Sequence, residues 1–301
     1  MARELFLIST KAGAYEKNLP KKIQCFFPNA EIVETKYPDH LTEIVDEFSK
    51  RKISNKRLYL LGGDGSLNEA CSILQGTDTA LGLIPYGTCN DFAKTLYSHQ
   101  FSLEEYLEGL SDLQQFPLDL IQHNHGVSIN ILSAGIDSMV LQNAYNILKY
   151  FPRLKSLAYV LSAIYTIFRY PGIEIHWEGD HGVGDDVVKL VALCNGRSYG
   201  GGFTPAPDAN PMDGTLEFCY VKDCSPFALI PKMIKYRKGI HLEDPAFRKI
   251  KTKKGKIQFK ESVIGNFDGT IFNTRTIEYE VLPKKILFVA PRQFVKTSLH
   301  P

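Results

Sequence analysis

What the chain lacks narrows its class before any motif is read. None of its six cysteines (Cys25, Cys71, Cys89, Cys194, Cys219, Cys224) forms a Cys-x-x-Cys pair, and no signal peptide leads the sequence. The expectation is buried, reduced thiols in a cytoplasmic protein. Zinc is not expected, because the eight histidines are scattered and His123 and His125 have no thiol near them in sequence. No segment reaches the ~20 apolar residues that a bilayer span requires; the longest uncharged apolar stretch in mid-chain runs from Leu157 to Phe168. Any membrane contact would be peripheral, at the inner membrane surface. A net charge of only +2 argues against a nucleic-acid partner. Internal repeats and low-complexity tracts are missing as well.

The charge that is present is unevenly placed. From Lys232 to Lys260 there are eleven Lys/Arg and two acids, a local +9 that leaves −7 elsewhere. Such a stretch can attract anionic headgroups or phosphates, or it can be a solvated lysine-rich loop. A length of 301 residues suggests two domains.

The first part of the chain alternates strands and helices. Leu5–Ile8, Glu31–Val33, Leu58–Leu61 and Leu81–Ile84 read as buried strands, and Leu41, Ile44, Val45 and Phe48 share a helical face. Ser66 with Glu69 reads as a capping box, so a helix is expected to start there. This alternation implies a parallel sheet with ligand chemistry at the carboxyl ends of its strands. From about Leu118 the texture changes. Two helical stripes, Val140 to Phe151 and Leu154 to Phe168, flank Pro152 and read as core packing, with an acyl-chain groove wall as the functional alternative. Beyond Ile173 the chain is strand-rich, with Asp213-Gly214 and Asp268-Gly269 as hairpin-type turns and a helix opening at Ser225-Pro226. That half reads as a β-sandwich or barrel.

Two glycine turns carry the chemistry. Leu58–Leu61 runs into Gly62-Gly63-Asp64-Gly65-Ser66-Leu67-Asn68-Glu69, and Leu81–Ile84 into Pro85-Tyr86-Gly87-Thr88-Cys89-Asn90-Asp91-Phe92-Ala93. A strand entering a glycine bend and then a helix aims free N–H groups at an anion. Asp64 between glycines would repel a bare phosphate, so a divalent cation is expected between them. The first turn is neither a Walker loop, since no Gly-Lys-Ser/Thr follows, nor a dinucleotide fingerprint, since Asn68 holds the third glycine position. Thr88 can cap a helix or donate to a phosphate, and Asn90 and Asp91 can close an Asx turn. Further on, Gly200-Gly201-Gly202 follows a buried strand, which implies that something approaches the backbone. Asp213 can cap its own turn or hold a hard cation with backbone carbonyls.

Together these segments resemble the diacylglycerol kinase catalytic-domain family, which includes sphingosine and ceramide kinases and bacterial soluble lipid kinases. The family's Gly-Gly-Asp-Gly-Thr-x-Asn-Glu is met by Gly62 to Glu69 with Ser66 for Thr, its Pro-x-Gly-Thr-x-Asn-Asp-Phe-Ala by Pro85 to Ala93, and its Pro-x-Ala-x-x-x-Asp-Gly-x-Leu by Pro207 to Leu216. The resemblance spans Leu5 to Pro291. It implies an NAD kinase-like and diacylglycerol kinase-like α/β nucleotide domain (1–118 with 284–301) and a C-terminal β-sandwich for the lipid (119–283). It also implies ATP and Mg as cofactors. Thr35, Gly62, Gly63, Asp64, Gly65, Ser66, Asn68, Gly87, Thr88, Asn90 and Asp91 would hold the nucleotide. Asp213, with main-chain oxygens near Asn210 and Thr215 and with Asp119 linked to the metal network, would hold a structural magnesium.

Two departures stand out. The family opens with Asn-Pro-x-Ser-Gly where this chain has Ser9-Thr10-Lys11-Ala12-Gly13. The family also places a glutamate, its general base, after a late Asp-Gly, where this chain has Thr270. A threonine cannot take a proton at neutral pH, which leaves Asp64 and Asp268 as candidate bases. The expectation is therefore an ATP- and Mg-dependent kinase of diacylglycerol or a related lipid alcohol. A nucleotide- and lipid-binding regulatory protein and an NAD kinase-type small-molecule kinase are the alternatives, and a homodimer is left open.

Overall fold

The computed structural model describes residues 3–154 and 156–299. The first region runs β1 (Glu4–Ile8), α1 (Leu19–Phe26), β2 (Glu31–Glu34), α2 (His40–Ser49), β3 (Arg57–Gly62), α3 (Asp64–Leu74), β4 (Ala80–Pro85), α4 (Asp91–Leu96) and α5 (Leu103–Gly109). Strands β2, β1, β3 and β4 pair in parallel in that order. Leu5 to Ile8 and Leu58 to Leu61 are buried, the continuous apolar pattern of a sheet covered on both faces. In α2, Leu41, Val45 and Phe48 point inward.

The second region holds β5 (Leu113–His123), β6 (Gly126–Ser128), β7 (Ile131–Gly135), α6 (Ile136–Tyr150), α7 (Ser156–Arg169), β8 (Ile173–Gly179), β9 (Gly182–Cys194), β10 (Leu216–Lys222), α8 (Pro226–Lys238), β11 (Phe247–Thr252), β12 (Lys254–Phe267) and β13 (Thr270–Pro291). Its strands pair antiparallel in the order β11, β10, β9, β7, β12, β13. The 22-residue β13 then carries the chain back: Phe288 pairs in parallel with Leu81 of β4, and β5 runs antiparallel beside it from Leu113 to His123. One core gathers residues of the first region with Ile286, Phe288 and Phe294; another gathers the inward faces of the sandwich around Phe218, Ile257 and Ile277.

Several local expectations change. Helix α3 starts at Asp64 with Gly63 as its N-cap, so the Ser66–Glu69 capping box is not formed. A true box caps α5, where Ser102 accepts from Glu105 N and the Glu105 carboxylate accepts from Ser102 N. Asn90, not Thr88, is the N-cap of α4. Ser225 does cap α8, with Pro226 in its first turn. Asp268-Gly269 joins β12 to β13 with φ of 46° and 95°, whereas Asp213-Gly214 closes a long loop before β10 and links no hairpin. Cys25 and Cys89 are exposed rather than buried.

The largest difference lies in α7. Its inward stripe is Ala158, Ser162 and Thr166, with Ser162 Oγ donating to Val140 O at 2.7 Å and Asn143 Nδ2 to Thr166 Oγ1 at 3.2 Å. Its large apolar side chains face outward, so the stripe from Leu154 to Phe168 is not core packing.

Candidate active site

A cavity of about 670 Å³ opens where the two regions meet. At its floor the two glycine turns sit on paired strands, Gly62 of β3 opposite Pro85 of β4. Their backbones touch: a Cβ on Gly87 would lie 2.4 Å from Gly63 Cα, and one on Gly63 would lie 2.9 Å from Gly87 Cα. Only glycine fits at either position. The N-cap Gly63 brings no side chain to the start of α3, while Gly63, Asp64, Gly65 and Ser66 all line the cavity. The first-turn amides of a helix have no partner within the helix, so this end offers N–H groups to an anion. Thr88 lines the same space. The Lys11–Gly13 loop closes on it so tightly that a Cβ on Gly13 would meet Thr88 Oγ1 at 2.8 Å. Thr35 also lines it, its hydroxyl accepting from Thr10 N at 3.0 Å.

The carboxylates at the cavity are held by the protein's own donors. Asp64 accepts from Phe92 N at 2.9 Å and from Asp91 N at 3.0 Å, which fastens the start of α4 to the start of α3. Burial raises its pKa above the usual carboxylate range. Asp91 accepts from Lys94 Nζ and from Gly201 N, both at 2.7 Å. The group that approaches the triple glycine is therefore Asp91, and Gly200, Gly201 and Gly202 reach it with φ of 59°, 80° and 105°. Asp268 accepts from Ser128 Oγ at 2.6 Å and from the amides of Ile129, Asn130 and Ile131. Burial pushes its pKa up to about 6 despite those bonds. Thr270, two residues on, lines the cavity as an exposed side chain.

Other candidates turn away from the cavity. Gly62 ends its strand beneath the turn. Asn68 bridges the regions, donating to Val127 O and accepting from Ile129 N, both at 3.2 Å. Asn90 closes its own turn, accepting from Gly87 N at 2.8 Å and donating to Gly87 O at 2.9 Å. Asn68 and Asn90 are thus braces of the cradle and not part of its lining, because their amides are engaged on both sides.

At the expected structural magnesium site the side-chain oxygens carry donors from the protein itself. Asp213 Oδ1 accepts from the Thr215 amide and hydroxyl, and Oδ2 takes Lys251 Nζ at 2.9 Å. Asn210 Oδ1 accepts from Met212 N at 3.2 Å. Asp119, wholly buried, accepts from Gly214 N and Lys284 N, each at 2.7 Å. Among the described residues no three His, Cys, Asp or Glu side chains converge on a metal position. A lysine ammonium already neutralises Asp213. A nucleotide-borne magnesium at the main cavity is a different matter: each Asp64 oxygen has one donor and so one lone pair open, which suits a cation that keeps its waters and phosphates.

Further residues also line the cavity. Glu69, the last residue of the first motif, lines it with Asp39 and Lys11, and burial and then Asp39 raise the pKa of its carboxyl. Leu141 and Tyr145 come from α6, and Tyr199 donates to the half-buried Asp137 at 2.8 Å. Their sequence separation hides them; the Gly200–Gly202 run beside Tyr199 was the one available signal.

Known proteins resemble both regions of the chain. The family profile of the diacylglycerol kinase catalytic domain matches residues 5–123, and that of the YegS C-terminal NAD kinase beta sandwich-like domain matches residues 130–290. A Shewanella frigidimarina protein named "Probable lipid kinase YegS-like" is 30% identical over 240 residues, 78% of this chain and 76% of its own length. A Bacillus subtilis protein named diacylglycerol kinase is 28% identical, covering 77% of each chain. A crystal structure of a diacylglycerol kinase from Bacillus anthracis shares the fold, with a TM-score of 0.71 at 20% identity over 96% of this chain and 97% of that one.

Proposed function

The chain belongs to the diacylglycerol kinase catalytic-domain family of lipid kinases, and from that membership we propose that it transfers the γ-phosphate of ATP to the hydroxyl of a diacylglycerol-like lipid alcohol. The observation that carries this reading is the pair of touching glycine turns under an uncapped α3 N-terminus. We take residues 1–118 with 284–301 as the nucleotide region and 119–283 as the lipid region, in a cytoplasmic protein that works at the membrane surface.

In this reading the α3 amides, Ser66 and Thr88 bind phosphate oxygens, and Thr35 and the Lys11–Gly13 loop bound the nucleotide. A magnesium ion bound with ATP would be held beside Asp64 and would offset charge on the transferring phosphoryl group. Asp64 holds the second turn against the first, so it positions the cradle as well as facing the cation. Asp268 is the proposed general base: its pKa near 6 lies close to neutral pH, where such a group contributes ~10²- to 10⁴-fold. Phosphoryl transfer through a loose transition state depends more on positioning and charge than on proton removal, so Thr270 is compatible with turnover.

Radiolabelled ATP with a panel of lipid alcohols tests the proposal. A phosphorylated lipid lost in Asp64→Asn is the expected result; no product on any lipid defeats it. Thr270 also favours a second reading, a protein that binds nucleotide and lipid without turnover. An inert parent whose Thr270→Glu variant gains activity would establish that alternative.

A further inference from the structure

We propose that the outward faces of α7 and α8 form a docking surface for an anionic lipid bilayer. The inference names the partner of the kinase reading and rests on it for why a bilayer is approached, but its observations are independent of the active site.

Helix α7 is built inside out. Ala158, Ser162 and Thr166 pack against α6, while Leu161, Ile164 and Phe168 stand in solvent, Ile164 with 54% of its surface exposed. On α8, Phe227, Ile230 and Ile234 repeat the pattern at helical spacing, Phe227 being 77% exposed. The Phe168 and Phe227 rings meet edge-on with centroids 5.6 Å apart, which joins the two faces into one patch. A soluble monomer rarely exposes so much contiguous apolar surface without a partner for it.

Charge selects the partner. Residues 138–172 contain four Lys/Arg and no Asp or Glu, and residues 225–242 contain four more and again no acid. Lys149 and Arg169 lie over the rings of Tyr150 and Tyr165, each 5.8 Å from the centroid. Cations with amphipathic aromatics around an apolar patch match a headgroup layer over acyl chains. On α8, Lys232 pairs with Asp244 at 2.6 Å and Lys235 approaches it at 3.9 Å, which leaves Arg237 and Lys238 as the cations there; a second copy docked face to face would set like charges against each other. The basic stretch from Lys232 to Lys260 is a poorer candidate as a whole, since Lys249, Lys251, Lys256 and Lys260 on its strands are paired with carboxylates. The patch also adjoins the active cavity, because α7 packs on α6, whose Leu141 and Tyr145 line that cavity.

Co-flotation of the full chain with phosphatidylcholine vesicles, with and without phosphatidylglycerol, tests this in the absence of nucleotide. Binding to the anionic vesicles should exceed that to neutral ones by ~10-fold or more. Ile164→Asp should lower it by ~10-fold or more with an unchanged melting temperature. Should that variant fail to fold, the triple change Lys235→Gln, Arg237→Gln, Lys238→Gln should remove the preference for anionic lipid. Binding that survives both sets of changes overturns the proposal. So does a parent that never floats, or a concentration-dependent dimer in sedimentation that Ile164→Asp dissociates. Because no turnover is read, a chain that docks but phosphorylates nothing would fail only the kinase reading.

Discussion

Helices α2 and α7 carry the same kind of apolar stripe and use it in opposite ways. In α2 the stripe of Leu41, Val45 and Phe48 is buried against the parallel sheet, and the polar side faces water. In α7 the small residues are inside and Leu161, Ile164 and Phe168 are outside. A hydrophobic period therefore identifies a face without saying what the face meets. The contrast extends to the regions: the parallel-sheet region keeps its apolar groups in and turns backbone amides toward the cavity, while the helical layer over the sandwich presents apolar surface outward.

The sharpest way to break this comparison is a matched pair of truncations. Phe48→Ala should cost about 3–5 kcal/mol because the ring is fully buried, while Phe168→Ala should stay within ~0.5 kcal/mol in the same urea titration. Equal losses would mean that α7 packs against part of the protein. Gly87→Ala comes next. The clash with Gly63 should cost ~1–3 kcal/mol and should abolish magnesium–ATP binding by calorimetry.

On stability, Asp268→Asn has a smaller effect, confined to one pH window. Its folded pKa of about 6 lies above the ordinary 3.8, so the native state binds this proton more tightly than the unfolded chain. Its contribution to stability is then fullest below the ordinary value and fades as pH rises through about 6. The variant should flatten that part of the stability–pH profile, and in the parent the kinase rate should rise across the same interval. The smallest expected effect is that of Lys251→Met, at most ~1 kcal/mol for a partly exposed pair. In the parent, chelator should not move the melting temperature; a drop on adding chelator that Asp213→Asn abolishes would restore a metal to that turn.

Much of the fold was legible. The four parallel strands, α2, the helix break at Pro152, the Ser225 cap and the Asp268-Gly269 turn all carry local signals that act within a few residues. The short helix α1 and strand β11 went unread, as did the Ser102–Glu105 box that caps α5. Of the cavity lining, Gly63 to Ser66 and Gly87-Thr88 lie in the two glycine turns that the sequence singles out. Asn68 and Asn90 were misread because an amide in a ligand motif looks the same whether it faces a phosphate or a neighbouring backbone. Lys251 was missed as the partner of Asp213 because β11 delivers it from 38 residues away.

Glycines at two strand ends, a Ser-Pro helix start and stretches free of acids are written into the residue order, since each acts through its own backbone or its own charge. Where a face points, which carboxylate meets which donor, and whether an aspartate sees a cation or an ammonium depend on surfaces brought together from distant segments. Those outcomes are set by packing, because the energy of a buried charge or an apolar patch belongs to its surroundings.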